Sequence, residues 1–171
     1  MDKFTIVYID DRLDPDRVTL ENRTFSFLQR SLGGPNISLH GISTLEEATD
    51  YFLTRKAGYD LLICDKNLGW GRQPDGSHLY LRGNDFLVFL LNLRQDLRPA
   101  PVIVYTDSPA GVLGRWRADG ISVGAVVEKY NYNPEDSREH WEILADTVRA
   151  YIPDTSGENT EGTIRNEIST H

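Results

Sequence analysis

The chain has little of what marks a secreted, membrane-spanning or nucleic-acid-binding protein. Only one of its 171 residues, Cys64, is a cysteine, so neither an internal disulfide framework nor a cysteine-based metal site is expected. No apolar run approaches the roughly 20 residues of a membrane helix, and the first residues lack a signal-peptide pattern. The net charge of −8 comes without a visible basic patch, which argues against nucleic acid as a direct partner. We therefore expect a cytoplasmic protein that binds neither membrane nor nucleic acid.

The length and composition fit one globular domain with a tail. Apolar residues make up 39% of the chain and charged residues 26%, a balance typical of soluble domains. Patterned sequence extends over residues 1–152. Residues 153–171 are polar and without apolar periodicity, and this composition predicts a flexible tail.

Short apolar runs alternate with helical patterns along the chain. The near-continuous runs are Phe4–Ile9, Tyr59–Cys64, Val102–Tyr105 and Val123–Val127, and Asn36–Ser43 has the alternation of an edge strand. Near-continuous runs are typical of parallel strands covered on both faces. Five alternating β-α units predict an α/β, flavodoxin-like three-layer sandwich. Its five-stranded parallel sheet would have the order 2-1-3-4-5, with helices on both faces.

Two of the helical patterns carry detailed expectations. The third helix is predicted to bury one stripe, formed by Phe86, Phe89, Leu90, Leu93 and Leu97. The last helix is predicted to start at residues 133–135, where Pro134 suits a first turn. Its expected buried face is Trp141, Leu144, Val148 and Ile152.

A long segment at residues 68–82 separates the third strand from the third helix. Connections of this length are uncommon in compact domains and are often functional or mobile. The segment contains Trp70, His78 and Tyr80. Two interpretations stay open, a mobile surface loop and an element that docks a partner protein.

Polar residues follow the apolar runs at the points where the strands end. Asp10 and Asp11 follow the first strand, Asp65 the third, Thr106 the fourth and Lys129 the fifth. In a parallel sheet these ends share one edge, which is where open α/β sheets place their sites. Each residue alone would also serve as a helix cap, a turn residue or an ion-pair partner. Their order at successive strand ends favours a site.

The chemistry of such a site follows from its carboxylates. Asp10, Asp11 and Asp65 would repel one another unless a cation lay between them. An all-oxygen site of this kind suits Mg²⁺. Asp65 would then be available as a nucleophile toward a phosphoryl group. Thr106 and Lys129 would each touch a phosphoryl oxygen.

With these residues the sequence resembles a response-regulator receiver domain of two-component signalling, over about residues 3–152. The resemblance implies that Asp11 binds Mg²⁺ directly and Asp10 mainly through water. It implies that Asp65 is the phosphoacceptor and a metal ligand, and that the backbone carbonyl of Asn67 is a further ligand. It also implies phosphoryl transfer from a histidine kinase or phosphotransfer protein, assisted by Thr106 and Lys129.

Several positions depart from the pattern of that family. Asp107 stands where the family usually has a small residue, and Tyr130 stands where a proline usually follows the lysine. Val126 occupies the place of an aromatic residue that rotates on activation. Gly69 replaces a proline, and Gly83 is expected to open the third helix after an insertion of about ten residues.

Three functions are compatible with the sequence. The first is a stand-alone receiver, not an enzyme, that accepts a phosphoryl group on Asp65 and acts through contact with a downstream protein. The second is a receiver-like binding module that works without phosphorylation, which the departures at Asp107, Val126 and Tyr130 favour. The third is an aspartyl-phosphate hydrolase of the haloacid-dehalogenase class. That class wants Asp-x-Asp after the first strand, where this chain has Asp10 and Asp11.

Overall fold

The computed structural model describes residues 3–14, 16–55, 58–69, 81–94, 96, 100–130 and 137–153. A five-stranded parallel sheet has the order β2-β1-β3-β6-β7, and β4 and β5 form a separate antiparallel pair. Without that pair, the five long strands have the predicted order 2-1-3-4-5. The elements are β1 (Phe4–Ile9), α1 (Leu20–Leu32), β2 (Ile37–Ile42), α2 (Leu45–Thr49) continued by a π-helical turn (Asp50–Thr54), β3 (Leu61–Cys64), β4 (Asn67–Leu68), β5 (Leu81–Arg82), α3 (Gly83–Leu93), β6 (Val102–Thr106), α4 (Val112–Ala118), β7 (Val123–Glu128) and α5 (His140–Arg149).

Helices cover both faces of the sheet, as predicted. Alternate residues of each strand point to opposite faces, so Val7 and Ile9 join one core while Ile6 and Tyr8 join the other. The first core contains the buried hydrophobic residues of α2, α3 and α4, and the second contains those of α1 and α5. The three-layer α/β sandwich is therefore confirmed.

The register aligns the carboxyl ends of the central strands. Ile9, the last residue of β1, pairs with Cys64, the last residue of β3. Thr106, the last residue of β6, pairs with Glu128, the last residue of β7. The residues that follow these strands therefore start from one edge of the sheet, and this edge positions the site.

The buried stripe predicted for α3 is partly wrong. Phe86 and Leu90 are buried, but Phe89 and Leu93 are about half exposed, and Leu87 is buried in their place. The helix is apolar on most of its surface, so sequence periodicity left its rotation undetermined. Leu97 lies outside the described residues.

The prediction for α5 also needs correction. The helix begins at His140, with Glu139 as a capping residue, and the predicted start at residues 133–135 lies outside the described part. His140, Leu144, Ala145 and Val148 are its buried residues, whereas Trp141 is only partly buried. His140 can be buried at this position because its Nδ1 atom is hydrogen bonded to the Tyr105 hydroxyl.

Two predicted segments fall mostly outside the described residues. These are residues 70–80 of the long connection at 68–82 and residues 154–171 of the tail. The domain boundary at about residue 152 and the properties of both segments stay predictions. Among the described helices, none is long and apolar enough to cross a membrane.

Candidate functional site

Asp10 and Asp65 lie side by side because their strands end in register. The amide of Asp65 donates to the carbonyl of Ile9 at 3.1 Å, which continues the β1–β3 pairing into the site. Both carboxylates are buried, and Oδ1 of Asp10 accepts a hydrogen bond from the amide of Arg12 at 3.0 Å. The strand pairing thus fixes two acidic groups against each other below the protein surface.

Lys129 brings a positive charge to these carboxylates. Its amide donates to the carbonyl of Thr106 at 2.8 Å, which anchors the lysine beside β6. Its side chain is fully buried, and Nζ lies 2.6 Å from Oδ2 of Asp10 and 2.9 Å from Oδ2 of Asp65. The long stem therefore reaches inward from the edge strand, as the sequence predicts.

A further carboxylate contacts the same ammonium group. Oε1 of Glu21, from the first turn of α1, lies 3.3 Å from Nζ of Lys129. Sequence reasoning missed this residue because it considered only strand ends. A signal was present, since Glu21 shares the helical spacing of Thr24, Leu28 and Leu32, which form the buried face of α1. A charged residue on a buried face requires a partner.

Asp11 completes a group of carboxylates suited to a cation. Asp10, Asp11 and Asp65 each offer an oxygen atom, and these atoms lie within 4.8 Å of one another. Asp11 is half-buried at the rim. Oxygen ligands at this spacing are what Mg²⁺ and Ca²⁺ require, so the donor set fits the predicted metal. The amide of Asn67 lies 3.4 Å from Oδ1 of Asp65, which places this predicted ligand residue beside the group.

Burial has a large effect on the pKa values of the residues at this site. It raises the pKa of Asp10 to about 7, although Lys129 acts in the opposite direction. Burial also raises the pKa of Asp11. For Lys129, burial would lower the pKa, but Asp10 and Asp65 outweigh it and the pKa is raised, so the lysine stays charged. Burial therefore disfavours the charged forms of Asp10 and Asp11, and Lys129 offsets only part of this effect at Asp10.

Thr106 ends β6 at the same edge and is buried. Its Oγ1 accepts a hydrogen bond from the amide of Ser108 at 3.3 Å. Lys66, next to Asp65, donates from Nζ to the Ser108 carbonyl at 2.9 Å. This hydrogen bond connects the segment after β3 to the segment after β6. Asp107 lies between Thr106 and Ser108 in the sequence and is exposed.

Gly83 allows α3 to start directly against the site. Its amide donates to the carbonyl of Lys66 at 2.8 Å. A Cβ atom at this position would lie 2.1 Å from the carbonyl oxygen of Asp65 and 2.9 Å from the ring of Trp116. The close approach requires glycine at this position. Gly83 is also the first residue of α3, as predicted.

Aromatic and polar side chains form the floor behind Lys129. Nζ of Lys129 lies 5.3 Å from the ring centre of Tyr105. The Tyr105 hydroxyl is hydrogen bonded to Nδ1 of His140 and lies 3.4 Å from Oγ1 of Thr24. Val126 packs against the opposite core. An aromatic residue therefore does contact the lysine from β6, one residue before Thr106.

Comparison with solved structures gives the class of fold. The N-terminal domain of a response regulator/sensory box/GGDEF 3-domain protein from Carboxydothermus hydrogenoformans is 17% identical, with a TM-score of 0.53 over 86% of this chain and 92% of that chain. A receiver domain from Rhodospirillum rubrum is 23% identical, with a TM-score of 0.53 over 85% of this chain and 89% of that chain. The chain has the fold of a response-regulator receiver domain, and the predicted resemblance is confirmed at that level.

A two-component response regulator gives a similar match. This protein, from Clostridium difficile, is 18% identical, with a TM-score of 0.55 over 87% of this chain and 95% of that chain. No family model matches the sequence, and no curated protein is matched. At these identities the likeness concerns the fold, so the function must be argued from the site.

Most of the predicted site residues come together. Asp10, Asp11, Asp65 and Lys129 form one group, and Thr106 and Asn67 flank it. Trp70, His78 and Tyr80 lie outside the described residues. The carboxyl edge of the sheet therefore holds three carboxylates and an ammonium group in one cluster, and Thr106 ends the adjacent strand β6.

Proposed function

We propose that this chain is a receiver that accepts a phosphoryl group on Asp65 in the presence of Mg²⁺. The observation that carries the proposal is the meeting of Asp10, Asp11 and Asp65 with the buried ammonium of Lys129 at the carboxyl edge of the sheet. The group provides a nucleophilic carboxylate, oxygen ligands for a cation and a second positive charge. Phosphoryl transfer depends chiefly on this kind of positioning and charge neutralisation.

Each site residue would have a role that follows from its position. Asp10, Asp11 and the Asn67 carbonyl would hold Mg²⁺ together with Asp65, and the ion supplies positive charge for the phosphoryl oxygens. Lys129, already 2.9 Å from Asp65, would contact another phosphoryl oxygen. The hydroxyl of Thr106 would donate to a third. Each contact places a donor or charge where negative charge is transferred.

The transfer step forms one bond and breaks one. A carboxylate oxygen of Asp65 forms a bond to phosphorus as the bond between phosphorus and the donor breaks. The donor is a phosphohistidine of a histidine kinase or phosphotransfer protein, and the electron pair of the broken P–N bond leaves on the imidazole nitrogen of that histidine. The product is an acyl phosphate on Asp65. Output would pass to a downstream protein through contact with the phosphorylated domain, so the chain would act as a signalling domain and not as a classical enzyme.

Intact mass spectrometry tests this proposal. The wild type is incubated with acetyl phosphate and Mg²⁺, alongside the variants Asp65→Asn and Asp85→Asn. Asp85 is an exposed acid in the first turn of α3, so its variant is a matched control for charge. One phosphoryl adduct is expected on the wild type and on Asp85→Asn, and none on Asp65→Asn. An adduct that persists in Asp65→Asn would contradict the proposal.

A second candidate function is a receiver-like module that binds its partner without phosphorylation. The observation that favours it is the ion cluster itself, because Lys129 bonds Asp10, Asp65 and Glu21 and so gives these carboxylates a structural role in the fold. The exposed Asp107 beside Thr106 would repel an incoming phosphoryl donor. If Asp65→Asn left partner binding unchanged, this second function would be favoured.

A further inference from the structure

Glu21 is buried to an extent that its place in the helix does not explain. It is the second residue of α1 and only 2% exposed. Acidic residues in the first turn are favoured by the helix dipole, but this benefit does not depend on burial. Thr19 already caps the helix by accepting from the amide of Asn22 at 3.0 Å. The buried carboxylate therefore has another use.

The contacts of Glu21 identify Lys129 as its buried partner. Oε1 of Glu21 lies 3.3 Å from Nζ of Lys129 and 3.8 Å from Nη1 of Arg12. The side chain of Arg12 is 51% exposed, whereas that of Lys129 is fully buried. Attraction between buried charges is screened far less than attraction at the surface. The stronger of the two interactions is thus the one with the lysine.

The ammonium group of Lys129 has three N–H donors. Among the described residues, three carboxylates surround it, with Nζ at 2.6 Å from Asp10, 2.9 Å from Asp65 and 3.3 Å from Glu21. Asp10 and Asp65 belong to the group of oxygens suited to a cation, whereas Glu21 does not. When a cation draws the first two carboxylates, Glu21 is the partner that the lysine retains.

We propose that Glu21 is a positioning residue that keeps the Lys129 ammonium directed at Asp65 while Asp10 and Asp65 turn toward a divalent cation and a phosphoryl group. The inference rests on the proposed phosphoacceptor function. In the phosphorylated state, the N–H of Lys129 that donates to the Asp65 carboxylate would donate instead to an oxygen of the phosphoryl group on Asp65. The bond to Glu21 persists and fixes the direction of the ammonium group.

The test follows the Lys129 ammonium by nitrogen-15 NMR, with the signal assigned by its loss in Lys129→Met. The wild type, Glu21→Ala and Glu21→Gln are compared before and after addition of Mg²⁺. Buried, hydrogen-bonded N–H groups exchange slowly with water. We expect the wild type to keep a protected signal with Mg²⁺ and Glu21→Ala to lose it. Glu21→Gln should keep it, because the amide oxygen still accepts.

Several results would overturn the proposal. One is a Glu21→Ala signal that stays as protected with Mg²⁺ as the wild-type signal. Another is loss of the wild-type signal on addition of Mg²⁺. A merely structural role would lower the melting temperature of Glu21→Ala without changing the response of Lys129 to Mg²⁺. Amide signals distant from the site report whether each variant has folded.

The rate of adduct formation from acetyl phosphate gives a second readout. Glu21→Ala is expected to react about tenfold more slowly than the wild type, because residues that orient a site commonly have effects of this size. Glu21→Gln should recover part of the rate. Glu46→Gln removes an exposed first-turn acid of α2 and serves as the matched control, with an unchanged rate. Equal rates in the wild type and Glu21→Ala would count against the proposal.

Failure of the proposed function would be recognised separately. If the wild type forms no adduct but binds Mg²⁺, the phosphoacceptor role fails and the NMR comparison still decides the role of Glu21. If the wild type does not bind Mg²⁺, the comparison without metal decides it. Exchange of the Lys129 ammonium should then be severalfold faster in Glu21→Ala, and an unchanged exchange rate would overturn the inference.

Discussion

Lys129, the residue directly after β7, reaches past β6 and places Nζ 2.9 Å from Oδ2 of Asp65, the residue directly after β3. Neither side chain is more than 6% exposed. Breaking a buried ion pair leaves an uncompensated charge and costs more than the pair contributes as a whole. The relationship therefore has consequences for stability as well as for the proposed phosphoryl transfer.

Replacing Lys129 should destabilise the protein and make its stability depend on Mg²⁺. In Lys129→Met the carboxylates of Asp10, Asp65 and Glu21 lose their shared partner, and the free energy of unfolding should fall by about 3 to 5 kcal/mol. Mg²⁺ should restore part of this loss, since it would neutralise two of these carboxylates, Asp10 and Asp65. Urea unfolding with and without Mg²⁺ measures both effects. A loss below about 1 kcal/mol, the typical value of a surface ion pair, would contradict the burial of this charge.

Two glycine substitutions should have opposite effects. Gly83→Ala would place a Cβ atom 2.1 Å from the Asp65 carbonyl oxygen, so α3 must shift, and stability should fall by about 2 to 3 kcal/mol. Gly114 lies inside α4, where an added Cβ atom would meet no atom of the described residues within 4 Å. Gly114→Ala should raise stability by up to about 1 kcal/mol through helix propensity. Thermal unfolding of both variants tests the pair, and equal effects would contradict the close approach at Gly83.

Acidification should destabilise the protein through His140. Burial lowers the pKa of this histidine below its usual 6.5, so the unfolded chain takes up a proton at a higher pH than the folded protein does. The contribution of His140 to stability should therefore fall as pH drops below about 6.5 and level off below its folded-state pKa. The raised pKa of Asp10 acts in the opposite direction in the same pH range, so the His140 contribution must be measured as a difference between variants.

The variant His140→Gln isolates this contribution. Both proteins retain Asp10, so the stability of the wild type relative to His140→Gln should fall as pH drops below about 6.5. Chemical unfolding at a series of pH values gives the comparison. Parallel curves for the wild type and His140→Gln would show that His140 does not titrate in this way.

The corrected rotation of α3 can be tested with two phenylalanines three positions apart. Phe86 is 4% exposed and Phe89 is 51% exposed. Phe86→Ala should lower the free energy of unfolding by about 3 to 5 kcal/mol, whereas Phe89→Ala should change it by about 0.5 kcal/mol or less. Comparable losses in the two variants would restore the stripe predicted from the sequence.

The sheet and its acidic edge were predictable because strand ends leave a clear sequence signal. Near-continuous apolar runs located the strands, and the residues after them, Asp10, Asp65 and Lys129, met once the strands aligned in register. Helix rotation was less predictable, because an almost wholly apolar helix such as α3 can bury more than one face. Phe89 and Leu93 were placed wrongly for this reason.

Glu21 shows why the rest of the site was not predictable in the same way. Its contact with Lys129 joins the first turn of α1 to the end of β7, and the two residues are 108 positions apart. No local sequence pattern predicts a contact between residues so far apart in the chain. The position of a charged residue on an otherwise uncharged buried face is the one hint that a partner exists.

The most direct test of the central claim is to locate the phosphoryl group. The wild type is treated with acetyl phosphate in Mg²⁺ or in excess chelator, and the modified residue is identified by peptide mass spectrometry. We predict modification of Asp65 in Mg²⁺ and none in chelator. Modification at another residue, or at Asp65 to the same extent in chelator, would contradict a metal-dependent phosphoacceptor site formed by Asp10, Asp11, Asp65 and Lys129.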